Sequence, residues 1–140
     1  MASFQKFNSF VEALAEKKHD LGADTLKVLL ANTAPVATNS VKADLTEITA
    51  GNGYTAGGNT ATVTSSAQTS GTYKLVLGDP TTWTAAGGSI GPFRYAVLYN
   101  DTATNDELIG FWDYGSSITL AAGESFAVDF DATTGVLTLA

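Results

Sequence analysis

Aromatic and aliphatic residues alternate along Phe93, Tyr95, Val97 and Tyr99, with Arg94, Ala96 and Leu98 between them, a period of two that predicts a strand with two different faces. Seven other stretches predict strands: Thr25–Leu30, Thr60–Ser65, Thr72–Leu77, Leu108–Trp112, Ser117–Leu120, Ser125–Phe130 and Gly135–Leu139. Most are bounded by clusters of Gly, Asn, Asp, Ser and Pro, and Ala121-Ala122-Gly123-Glu124 has the length of a hairpin connection. The helical period appears once, near the start, where Phe7, Phe10, Val11 and Leu14 recur three and four residues apart. Ser9 and Glu12 have the spacing of a capping box, Lys17, Lys18 and His19 suit the negative end of a helix dipole, and Gly22 lies beyond, so the spacing predicts a helix over Ser9–His19. Val41–Ile48 fits either a strand or a short helix. Ala50–Asn59, rich in glycine, reads as a long loop or an arm held down by a neighbouring molecule.

With turns about every ten residues and no crossover helices, the pattern predicts a mainly β chain: an antiparallel β-sandwich or jelly-roll-like single domain with a short N-terminal helix. Residues 1–22 would form a helical segment or arm and residues 23–140 the β body. A length of 140 residues suits one core. No apolar run approaches the ~20 residues of a membrane-spanning helix. Met1–Leu14 interleaves polar residues with apolar ones and lacks the unbroken apolar centre of a secretory signal.

The chain has no cysteine, which excludes disulfides and thiolate chemistry. Its net charge of −7 is unevenly spread: residues 1–74 hold six lysines against six acids, whereas residues 75–140 hold Arg94 against eight acids. That balance opposes nucleic-acid binding, which rests on Lys and Arg against phosphates. It suits a basic partner or keeps crowded copies soluble.

Several spellings invite a chemical reading and carry little of it. Gly51-Asn52-Gly53-Tyr54-Thr55-Ala56 has the G-x-G-x-x-A form of a dinucleotide fingerprint, but a threonine-rich β run follows where that site needs a helix. Asp129-Phe130-Asp131-Ala132-Thr133 has a D-x-D-x-T form, yet only nine residues follow Asp131, so Asp131–Gly135 reads as a polar turn. Asn100, Asp101, Asn105, Asp106 and Glu107 offer oxygens from one loop, without the spacing of an EF-hand. His19 is the only histidine, so any triad or imidazole metal site would have to be built on it. Trp83, Trp112 and the five tyrosines can stack on sugars or bases, although aromatic residues alternating in strands more often fill a core. No catalytic residue, cofactor site or metal site is assigned.

The run His19-Asp20-Leu21-Gly22, Asp24-Thr25-Leu26-Lys27-Val28 and Ala31-Asn32-Thr33-Ala34-Pro35, with Asp44–Ile48 and Gly51–Tyr54, resembles small virion structural proteins of tailed bacteriophages. Ser89–Asp101 and Leu108–Gly115 resemble the same group, so the likeness runs from about His19 to the end of the chain. The resemblance implies a non-enzymatic capsid decoration (cement) protein that binds the major capsid protein or copies of itself on the phage head, assembled in the host cytoplasm. The alternative it implies is a tail- or fibre-associated protein that binds a host receptor or glycan. Contacts with neighbours would fall on the N-terminal segment and the glycine-rich loop, with Phe4, Phe7, Phe10, Asn52, Tyr54 and Asn59 as the candidate interface residues. Nucleic acid and membrane are not expected as partners, and a homo-oligomer is expected from the symmetry of virions.

Overall fold

A computed structural model describes residues 2–140. Element order is β1 (Gln5–Lys6), α1 (Ser9–Ala15), β2 (Leu26–Ala31), β3 (Asn59–Ala61), β4 (Val63–Thr69), β5 (Thr72–Leu77), β6 (Trp83–Thr84), β7 (Ile90–Asn100), β8 (Leu108–Leu120), β9 (Ser125–Phe126) and β10 (Leu137–Leu139). The strands form antiparallel sheets in the orders β1-β8-β7-β2-β3, β10-β5-β4 and β6-β9. The mainly β, sandwich-like architecture with one short helix is therefore the one the hydrophobic pattern predicts. Among the described residues no helix is long and apolar enough to cross a membrane.

The five-stranded sheet buries both faces. Toward the smaller sheets, Leu26, Val28 and Leu30 of β2 join Phe93, Ala96 and Leu98 of β7 and Leu75 and Leu77 of β5 in the main core. On the other face, Leu29 and Ala31 of β2, Val97 and Tyr99 of β7, and Leu108 and Phe111 of β8 meet Phe7, with Leu45 packed against them. Because successive side chains in a strand point to opposite faces, a strand covered on both sides reads as an unbroken apolar run, as Leu26–Ala31 does.

The N-terminal segment is part of this body and not an arm. Gln5 and Lys6 pair with Phe111 and Gly110 of β8, and Phe7 and Phe10 are fully buried on opposite faces of the sheet. The helix also stops four residues earlier than predicted. Lys17 takes a left-handed φ of 66°, Lys18 N–H bonds to Ala13 O at 2.8 Å and Lys17 N–H to Leu14 O at 3.3 Å, which is a Schellman ending. The capping box does not form: Asn8 occupies the N-cap position and no side chain caps the helix.

Two predicted strands, Leu108–Trp112 and Ser117–Leu120, are one 13-residue strand, β8. The polar residues between them read as a turn, but β7 is long enough to pair with both halves, with register shifts that let the two strands coil around each other. In the other direction, Ser125–Phe130 is laddered only at Ser125–Phe126, where it meets β6, and Val41–Ile48 holds a single 3-10 turn at Lys42–Asp44.

Candidate functional site

The glycine-rich loop is pinned to the sheet and does not project. Tyr54 is 2% exposed, and its hydroxyl accepts from Leu30 N–H at 3.0 Å while donating to Glu47 Oε1 at 2.6 Å. The same Glu47 oxygen accepts from Gly57 N–H at 2.6 Å, and Tyr99 donates to Gly57 O at 2.6 Å. Burial pushes the pKa of both tyrosine hydroxyls well above the usual phenol value. At the tip, Asn52 and Gly53 both have positive φ, and Gly51 and Tyr54 bond to each other across a tight type I′ turn. A Cβ at Gly53 would overlap Thr84 O, and one at Gly58 would overlap Val28 O, so glycine serves here to bring backbones together.

This geometry revises the predicted contact residues. Phe7, Phe10 and Tyr54 are in the chain's own cores and cannot meet a neighbour. Asn52 is exposed at the turn tip, but its side chain donates to Ser89 O at 3.0 Å, and the half-buried Asn59 donates to Thr81 O at 2.6 Å. Phe4 is half-buried at the mouth of a groove described below. The reason is chemical: aromatic rings and amides in a glycine-rich stretch are what it needs to anchor itself.

The acidic loop and the histidine come together in a second anchor. Asn100 closes β7, and its Oδ1 accepts from Thr102 N–H at 2.9 Å and Ala103 N–H at 3.1 Å. Those two donors fix the amide, so its Nδ2 must donate, to Asp24 Oδ2 at 2.6 Å and to His19 Nδ1 at 3.0 Å. His19, 5% exposed, is thus held as the neutral tautomer with its proton on Nε2, an atom that is buried and unpartnered. Burial pushes its pKa below the ordinary histidine value against the opposing pull of Glu107 and Asp24. A general base needs its ring nitrogen free at a substrate, and here one nitrogen is occupied and the other enclosed. An open cavity of about 1000 Å³ lies beside this cluster, lined by Lys17, Asp20, Ser66, Tyr73 and Leu139 among others.

Two further carboxylates of this loop are used within the fold. Glu107 accepts from Asn105 N–H at 3.2 Å, and Asp101 pairs with Lys27 at 3.1 Å. Among the described residues no group of three or more His, Cys, Asp or Glu is arranged to hold a metal ion. Asp131 accepts from Thr133 and Thr134 N–H at 2.7 and 3.0 Å, which holds its carboxyl below the usual range and makes Asp131–Gly135 the polar turn its spelling predicts.

A narrower groove of about 350 Å³ runs between β8 and the segment 126–136. Its aromatic residues are stacked in two rows. Trp112 lies 5.3 Å from Phe4 and 5.4 Å from Phe130, while Phe126 meets Phe93 at 4.9 Å and Tyr114 at 5.8 Å, both edge-on. Tyr114 is 57% exposed, and Arg94 and Asp129 supply charge along the lining. Beside it Arg94 grips Asp113 with both arms, Nε to Oδ1 at 2.7 Å and Nη2 to Oδ2 at 2.9 Å, which lowers the Asp113 pKa. Of the aromatic residues named from the sequence, Trp83, Tyr54 and Tyr99 are core, whereas Trp112 and Tyr114 reach this groove. Phe126 and Phe130 also line it: the alternation over Ser125–Phe130 predicts a regular strand, but only Ser125–Phe126 is laddered and the irregular path beyond gives no sequence signal of a groove.

Comparison with family models, with curated proteins and with solved structures finds no match to this chain.

Proposed function

We propose that this chain is a virion structural protein of a tailed bacteriophage, a capsid decoration protein that binds the major capsid protein on the head and makes or breaks no covalent bond. The observation that carries the reading is the state of the one histidine: its Nδ1 is an acceptor for Asn100 and its Nε2 is enclosed, so the chain offers partners a shaped surface rather than a reactive group. The resemblance of His19–Asp101 and Leu108–Gly115 to small virion proteins supplies the biological setting. A body whose central sheet is covered on both faces suits a part that must keep its shape while bridging subunits, where many weak contacts add through symmetry. Bridging stabilises the assembled shell because only that shell presents all the contacts at once.

A tail- or fibre-associated role is the second reading, favoured by the aromatic groove, whose exposed Tyr114 and half-buried Trp112 offer ring faces beside Arg94 and Asp129. One experiment separates the two. Purified protein is mixed with expanded capsid shells and, separately, with host-surface polysaccharide. Saturable binding to shells with a raised shell melting temperature is the expected result. Binding to polysaccharide alone, lost in Trp112→Ala, would transfer the protein to the second reading.

A further inference from the structure

The smaller sheet ends in an open edge. Among the described residues β4 pairs with β5 on one side and with nothing on the other, and Thr64–Thr69 are all exposed. The β4–β5 turn has positive φ at both Ser70 (52°) and Gly71 (85°), the mark of a two-residue type I′ hairpin closed by a hydrogen-bonded pair, Thr69 with Thr72. Bonded and non-bonded pairs alternate along an antiparallel ladder, so Ala67–Lys74 is bonded whereas Gln68–Tyr73 and Ser66–Leu75 are not. The main-chain N–H and C=O of Ser66 and Gln68 therefore point outward, and among the described residues no other backbone group bonds to them.

Exposed edges of this length are ordinarily blunted by lysine, proline, an inward charge or a mid-strand bulge. Thr64–Thr69 carries no charge and no proline, and its register shift lies at the far end, between Val63 and Ser65. Such an edge fits another β-strand. The charge pattern says whose: no Asp, Glu, Lys, Arg or His occurs from Ile48 to Tyr73, in a chain of net charge −7. Copies of an acidic protein repel wherever their charges face each other, and this stretch is where they can approach without that cost. A basic partner would instead be drawn to the acidic second half of the chain.

We propose that β4 pairs antiparallel with β4 of a second copy across a twofold axis, joining two of the three-stranded sheets into one. Ser66 of each copy lies opposite Gln68 of the other, and each of these two pairs exchanges two main-chain hydrogen bonds. Ala67 then sits on the axis as a non-bonded pair, the closest approach in the ladder, where its small side chain fits. The interface is isologous and closes at two copies. It requires only the purified chain, so it stands or falls separately from binding to a capsid shell.

The test is sedimentation of the full-length protein across the micromolar range. Wild type should pass from the 14.5 kDa chain to twice that mass. Ala67→Glu and Ala67→Lys, each placing like charges across the axis, should each weaken pairing at least tenfold, and an equimolar mixture of the two should restore it. Hydrogen exchange on the wild type gives an answer that needs no variant: the Ser66 and Gln68 amides should exchange more slowly as concentration rises. A wild type that stays monomeric, a dimer indifferent to both charged variants, or edge amides whose exchange ignores concentration would each overturn the proposal.

Discussion

Two adjoining segments without a single charge end up opposite in character. Residues 50–58 hold four glycines and look the more mobile of the two, yet they are fastened to the sheet through Tyr54, Glu47 and Tyr99. Residues 64–69 form a regular strand, yet all six are exposed. Regular backbone is thus no guide to which segment is embedded. Two buried hydroxyls and one half-buried carboxylate, hydrogen-bonded to one another and to backbone, fix a loop that has almost no apolar face of its own.

The sharpest way to break the contrast is to remove the loop's anchor. Tyr54→Ala should lower unfolding free energy by about 4 kcal/mol, combining lost aromatic burial with stranded polar groups, as measured by urea denaturation. Tyr54→Phe keeps the ring and deletes only the hydroxyl, leaving the buried Leu30 N–H without its acceptor, and should cost about 1–3 kcal/mol by the same measurement. A result near zero for Tyr54→Phe would mean that shape alone holds the loop.

The His19 anchor extends the comparison to pH. Its pKa in the folded chain lies below the unfolded value of 6.5, so below that value the unfolded state takes up a proton that the folded state refuses. Stability should be fully present above about pH 7 and fall as pH drops below 6.5, by at most about 1.4 kcal/mol per pH unit from this one group. Asp44, Asp113 and Asp131, all with lowered pKa, lose their contributions at lower pH, as it falls from the ordinary carboxylate value toward their lowered ones. Denaturation curves between pH 6.5 and 5 should therefore show a slope in wild type that is absent in His19→Gln.

The smallest effect belongs to the other side of the contrast. Ser65→Ala, on the exposed strand, should change monomer stability by less than about 0.5 kcal/mol. A loss comparable to that of Tyr54→Phe would show that β4 is embedded in contacts of its own.

The central strands were legible from the sequence because their side chains face apolar surroundings, on both sides in β2 and β7. β1 and β6 were not, since two-residue ladders are too short to carry a period, and β9 is only the first two residues of the strand that the alternation over Ser125–Phe130 predicts. The helix end was misplaced because a lysine adopts the left-handed position that Gly22 seemed to mark. Asn52-Gly53 was the legible clue that the glycine-rich stretch turns back tightly, and it was outweighed by the surrounding glycines. The His19–Asn100–Asp24 cluster joins residues 76 and 81 positions apart, a separation at which spacing carries no information.

The charge-free span has a practical side. Trypsin finds no lysine or arginine between Lys42 and Lys74, so the whole glycine-rich turn, β3, β4 and the turn that follows it travel in one peptide of a digest, which ends inside β5. Amine-directed cross-linkers find no target between those two lysines for the same reason. Attachment through lysine to a sensor chip or a fluorophore, by contrast, places no label on the open strand itself, and of the lysines only Lys74, opposite Ala67, stands beside it in the hairpin.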